Sequence, residues 1–234
     1  MEAGEASPDR PAYEIPRDVM LIALAAAAGA VDVISLLGLG GVFTANMSGN
    51  LVFLSLALGH GVTAVAFRSL AALGGFVAGA AIGARLRGPK VTGAWSPGVT
   101  AALTLSAVCE VGLAVGWAAS DGRPGSLLVY LLIVTSGIAM GAQSAAVRLL
   151  TDVTTTYLTG TITALIVDEA GRRESEASVV RRLSVIFAFV VAGALAAFLL
   201  AHARVLAPLV PMALIGAAVI AARAWQRPGS VLAS

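Results

Sequence analysis

Apolar residues run through this chain in blocks of about 15 to 24, separated by short polar, glycine- or proline-containing stretches. About 20 such residues in a helix cross a hydrocarbon core of about 30 Å. The pattern therefore predicts helical membrane segments at Val19–Leu39, Val42–Leu58, Thr63–Leu86, Gly98–Ala119, Ser126–Val147, Val153–Val167, Val179–His202 and Leu206–Ala222. Residues 1–16 read as a polar N-terminal tail with three prolines, residues 17–225 as one transmembrane domain, and residues 226–234 as a C-terminal tail. The first apolar run is too long for a signal peptide and is expected to stay as a helix.

Two of the eight blocks differ from the rest. Val42–Leu58, VFTANMSGNLVFLSLAL, is polar in its first half, and Val153–Val167, VTTTYLTGTITALIV, repeats it at an offset of 111. At that offset Val42 meets Val153, Thr44 meets Thr155 and Gly49 meets Gly160. The repeat continues at an offset of 114, where Arg68 meets Arg182 and Val77–Ala80 matches Val191–Ala194. The chain thus reads as two related halves, about 17–120 and 125–225.

Composition agrees. Hydrophobic residues make up 58% and charged residues 12% of 234, with a mean hydropathy of +0.91. A soluble domain is nearer a quarter charged. The net charge of +2 is carried by scattered basic residues without aromatic interleaving, so no nucleic-acid partner is indicated. Cys109 alone excludes an intramolecular disulfide and a cysteine-rich metal site. His60 and His202 stand apart, without ligand spacing, and no cofactor or metal is expected. No nucleophile elbow, zinc helix or phosphate loop is present, so the chain is not read as an enzyme.

Two topologies fit. Eight crossings with an inside N-terminus put ten of the 15 Lys and Arg inside and five outside. If the two polar-faced blocks enter and return on one side, six crossings remain, with twelve inside and three outside. The second arrangement obeys the positive-inside rule better. It also makes the halves inverted, a recurring transporter plan. Seventeen residues can nevertheless cross a bilayer, so eight crossings in parallel halves stay open. The fold class is an all-α polytopic bundle of six to eight membrane segments with a two-fold internal repeat.

Polar residues inside such segments mark candidate chemistry. On a helix, Thr44 and Ser48 share a face, as do Asn46 and Asn50. In the second copy Thr155, Thr159 and Thr163 form such a stripe, and Thr161 joins Thr155 and Thr159 as a candidate path residue. These stripes either hydrogen-bond helices together or line a solute path between repeats. Asp32 lies deep in the first segment, and Gln143 takes its place in the other half. A lone carboxylate matched to a neutral amide suits proton loading; a structural pair with Arg68 or Arg148 is the alternative. Glu110 has no acidic counterpart and carries less weight. Gly75, Gly79 and Gly83, with the pairs Gly112/Gly116 and Gly137/Gly141, have the spacing of close helix contacts.

The stretches GAVDVISLLGLGGVFTANMSGNLVFLSLALG (Gly29–Gly59) and GAQSAAVRLLTDVTTTYLTGTITAL (Gly141–Leu165) resemble the two signatures of the YoaK family, bacterial multi-pass membrane proteins classed as a domain of unknown function. The resemblance covers about residues 17–225; Ser48 is a mild departure, at a place where Thr is as often expected. It implies a bacterial inner-membrane helical protein and no particular substrate. Repeat, stripes and Asp32 together lead to the expectation of a small secondary transporter for a small solute, proton-coupled through Asp32, with both termini cytoplasmic. The alternative is a non-transporting scaffold or partner subunit assembled through Gly-rich faces. Beyond the lipid bilayer and an unidentified solute, homo-oligomer formation is left open.

Overall fold

The computed structural model describes residues 14–61, 63–86, 96–150 and 176–225. Helices account for almost all of them: α1 (Glu14–Gly38), α2 (Met47–His60), α3 (Thr63–Leu86), α4 (Pro97–Ala119), α5 (Ser126–Leu150), α6 (Glu176–His202) and α7 (Leu209–Trp225), with a 3-10 turn at Arg204–Leu206 before α7. The ends follow local chemistry. Ser96 caps α4, accepting from the Val99 N–H at 3.3 Å, and Pro97 takes the first turn, where no intrahelical partner is lost. After α1 the chain turns at Gly40 and Gly41, both with φ near +90°, a conformation that only glycine adopts freely.

Six helices, all except α2, are long and apolar enough to cross a membrane. Their relative directions follow from the contacts. Gly75, Gly79 and Gly83 of α3 lie in order against Val134, Ile138 and Ala142 of α5, so these helices run parallel. Asp18 pairs with Arg181 at 3.7 Å, and Gly193 lies against Gly29 and Val33, so α1 and α6 are parallel too. Gln143 bonds Leu24, while Ser136 meets Ser35 through Thr44, which makes α5 antiparallel to α1. Arg223 reaches Thr104 and Trp117 reaches Arg204, which sets α7 antiparallel to α4.

The crossings therefore alternate in the order α1, α3, α4, α5, α6, α7. Among the described residues each half contributes three such helices, and their directions are inverted between the halves. α1 ends and α3 begins on one face of the bundle, where Arg68 donates to the Gly40 carbonyl at 3.1 Å. α2 lies between those two ends and returns to the face it left. With 14 residues it is ~21 Å long, short of a ~30 Å core. Of the two topologies open from sequence, the described helices match the six-crossing one. The second polar-faced block lies in residues 151–175, outside the described residues; its flanking ends, in α5 and α6, share the face on which α1 begins.

The halves exchange their first helices. α1 packs chiefly along α6 and α7 of the second half, and α5 along α3 and α4 of the first. Small residues allow this close fit, because helices in lipid associate through packing rather than water exclusion. A Cβ on Gly75 would come within 2.6 Å of the Val134 carbonyl oxygen. One on Gly79 would strike the Ile138 carbonyl, and one on Gly141 the Phe76 carbonyl. Gly137 is pressed against Ala72 and Phe76. Gly29 serves the equivalent α1–α6 contact, facing Phe189.

The pair Gly112 and Gly116 behaves differently. Gly116 faces the Leu132 side chain and Gly112 only the Thr135 methyl at 3.8 Å, so neither admits a neighbouring backbone. Large apolar residues such as Val52, Leu58, Val77, Val108, Leu127, Phe187 and Ile220 point outward. That outer surface suits acyl chains; in water it would be an adhesive patch.

Gly79→Ala is expected to cost ~1–3 kcal/mol by overpacking the α3–α5 contact. Gly74→Ala, with open space around it, is expected to be neutral or stabilising by up to ~1 kcal/mol. Thermal unfolding of the two variants in detergent checks this contrast.

Candidate functional site

Backbone polar groups inside a bilayer need partners within the protein. Residues 42–46 are not helical, so their N–H groups lack the usual acceptors. Asp32 supplies one. Its Oδ1 accepts from Thr44 N–H at 3.0 Å, Ala45 N–H at 2.8 Å and Asn46 N–H at 3.3 Å. Asn46 is the N-cap of α2, but its own side chain does not cap the helix. The Asp32 carboxylate instead holds the three residues that lead into α2 from the neighbouring helix, and it lies near the positive end of the α2 dipole. Asp32 lies six residues before the end of α1, ~9 Å along its axis. The N-terminus of α2 is held at that depth.

Asn50 fixes the approach to the helix. Its Oδ1 accepts from Phe43 N–H at 2.9 Å and its Nδ2 donates to the Phe43 carbonyl at 2.5 Å. This side chain satisfies both backbone groups of one residue, and Phe43 then stacks on Phe53 with ring centroids 5.7 Å apart. Gly49 is needed where it stands, since a Cβ there would come within 2.5 Å of the Phe43 ring.

Thr44 turns inward. Its hydroxyl lies 2.9 Å from Ser35 Oγ and 2.9 Å from Ser136 Oγ. All three hydroxyls belong to fully buried residues. One hydroxyl both donates and accepts, so the chain Ser35–Thr44–Ser136 ties α1, the turn and α5 together. Gln143 adds a second tie between α5 and α1, its Nε2 donating to the Leu24 carbonyl at 3.0 Å. Its Oε1 is buried without a partner among the described residues.

The structure brings Asp32, Thr44, Asn46 and Asn50 together, but not as the helical stripe that four-residue spacing predicts. Thr44 and Asn46 precede the first turn of α2, because their N–H groups point to Asp32 rather than to a preceding turn. Ser48 does lie in α2; it is exposed and donates to Asn46 Oδ1 at 2.7 Å. Asp32 meets neither arginine proposed for it: Arg68 turns to Gly40, and Arg148 sits near the far end of α5. Thr155, Thr159 and Thr161 lie outside the described residues. Ser35 and Ser136 were not singled out from sequence. Ser35 carries a detectable signal, three residues from Asp32 on the same helix face; Ser136 carries none. Among the described residues no group of His, Cys, Asp and Glu is placed to hold a metal ion.

Asp32→Ala leaves three N–H groups without their acceptor. The expected loss is at least ~2 kcal/mol, given ~1–3 kcal/mol for each unsatisfied buried group and partial relaxation. Asp32→Asn keeps an acceptor but loses the charge assistance, so its loss should be smaller. Asn50→Ala should cost ~1–3 kcal/mol by orphaning Phe43. Thermal unfolding in detergent ranks all three.

Comparison with known proteins fits this architecture. The family model described as "Protein of unknown function (DUF1275)" matches residues 20–221. The UPF0700 transmembrane protein YoaK of Bacillus subtilis (strain 168) is 39% identical over 158 residues, which is 67% of this chain and 68% of the relative. No solved structure matches. The chain therefore belongs to the DUF1275 family, a family of unknown function, and is a multi-pass helical membrane protein of YoaK type.

Proposed function

We propose that the protein is a small secondary transporter for a small solute, in which the re-entrant segment 42–60 forms the moving part of the pathway. One observation carries this proposal. A non-helical turn, residues 42–46, interrupts the chain level with the interior of α1, is held by a single carboxylate and reaches α5 of the other half through Thr44 and Ser136. Interrupted helices at a repeat interface are the usual place for solute and ion binding in such folds.

Asp32 provides the coupling in this scheme. As a carboxylate it makes charge-assisted bonds to three N–H groups, each stronger than a neutral bond. A proton on Asp32 removes that assistance and loosens the N-terminus of α2. Proton arrival and release of the re-entrant segment are thereby one event. Thr44 transmits it, because the same residue is bonded to Asp32 through its backbone and to Ser136 of α5 through its hydroxyl. Asn46 and Ser48, exposed beside the anchor, and Thr155, Thr159 and Thr161 in the second copy would line the path.

The face on which α1 begins is assigned to the cytoplasm. In the six-crossing order it takes twelve of the 15 Lys and Arg, leaving Arg68, Arg123 and Arg204 opposite. The same charge bias and the bacterial relative support a bacterial inner-membrane location. A scaffold role through the Gly75/Gly79/Gly83 face is less favoured, since that face is already filled by α5.

Two measurements test the proposal. In a Cys109→Ser background, Gly125→Cys should react with an impermeant thiol reagent added to intact cells, and Ser96→Cys should not; the reverse pattern refutes the orientation. In proteoliposomes with an internal pH dye, a panel of amino acids, sugars and carboxylates should include one that evokes proton movement in the wild type and not in Asp32→Asn. Solute uptake unchanged by Asp32→Asn would remove Asp32 from coupling.

A further inference from the structure

Glu110 stands in the interior without a partner among the described residues. It is residue 14 of the 23 in α4, ~14 Å or more from either end. It belongs to the stripe Leu103, Ser106, Glu110, Leu113 and Trp117, which faces the core along the helix, and it is fully buried. Both of its carboxyl oxygens lack a hydrogen-bond partner among the described residues. So does Ser106 Oγ, one turn earlier on the same face.

Among the described residues no charge near it offers compensation. α4 packs against α5, α7 and α3. Arg148 of α5, Arg85 of α3 and Arg223 of α7 all lie in the last turns of their helices. Arg223 is engaged with Thr104, Arg68 with Gly40, and Arg204 with Trp117 and Gly122. Asp32 on α1 is committed to the start of α2. Tyr130, the other titratable group on α5, lies in the first turns of that helix.

An ionised carboxylate with no donor and no counter-ion costs several kcal/mol in such surroundings even after relaxation. A proton removes that cost and leaves a neutral acid with one donor and remaining acceptor capacity, able to share a hydrogen bond with a hydroxyl such as Ser106. An acid at this depth in a membrane bundle is by default a functional-site hypothesis.

We propose that Glu110 is a proton-binding site in the bundle interior, distinct from the Asp32 anchor, that carries its proton while α4 is packed and exchanges it only when the α4 stripe meets water. The two acids then have separate roles. Asp32 is held by fixed backbone donors, whereas Glu110 has none among the described residues and takes the proton itself. This site does not depend on any solute being transported.

Infrared spectroscopy of the purified, detergent-solubilised protein at neutral pH tests it directly. The difference spectrum, wild type minus Glu110→Gln, should show the C=O stretch of a protonated carboxylic acid, persisting when sodium is added and shifting only slowly after transfer to D2O. Glu110→Gln should unfold within a few degrees of the wild type, because a neutral amide replaces a neutral acid of similar shape. Carboxylate bands in the difference spectrum overturn the proposal, as does replacement of the acid band by carboxylate bands on adding sodium, which would mark a metal-cation site. If the Gln variant does not purify, Glu110→Asp is used; it keeps the acid and should displace the band rather than abolish it, and an unmoved spectrum overturns the proposal equally. Loss of solute flux in Asp32→Asn with the Glu110 band intact separates this site from the coupling scheme above.

Discussion

A backbone that leaves helical geometry inside a bilayer must find acceptors for its N–H groups, and this fold finds them on one carboxylate. Asp32 receives three consecutive N–H groups from residues 44–46. Without that acceptor, the chain could not begin α2 at this depth without orphaning several donors. The return of this segment to its own face, between the ends of α1 and α3, depends on this contact. Asn50 and Thr44 complete it, one by satisfying Phe43 and the other by linking the turn to α1 and α5.

Around this anchor the two halves are joined by exchange of their first helices. Lipid gives no water-exclusion force between helices, so the contacts rely on close packing of small residues. Gly75, Gly79, Gly137 and Gly141 let α3 and α5 approach until backbone meets backbone, and Gly29 and Gly193 do the same for α1 and α6. The packing is nearly symmetric, but the polar chemistry is not. Where the first half has Asp32, the second has Gln143, whose amide bonds Leu24 of the opposite half. Glu110 likewise has no acidic counterpart. A pseudo-symmetric scaffold with asymmetric charges can favour one arrangement of its halves over the other.

Much of this was legible in the chain. The lengths of apolar runs located the crossing helices within a few residues, because bilayer thickness sets them directly. The offset of 114 pairs Gly79 with Gly193, and the structure places both at close helix contacts, α3 with α5 and α1 with α6. Asp32 stood out because a charge in an apolar run demands compensation. Four-residue spacing misled at Thr44 and Asn46, because spacing arguments assume a helix and these residues precede one. Gly112 and Gly116 have the spacing of a close contact, yet they face side chains.

The sequence by itself determined the helical membrane class, the two-fold repeat and the positions that carry polarity. These follow from local quantities: residue hydropathy, run length and self-similarity. Only the tertiary structure decided that Asp32 holds the turn leading into α2, that Ser136 joins Thr44 from 92 residues away, and that the first helices change places. Those outcomes depend on which donor finds which acceptor across the bundle. Such pairings between distant segments have no local spacing to announce them.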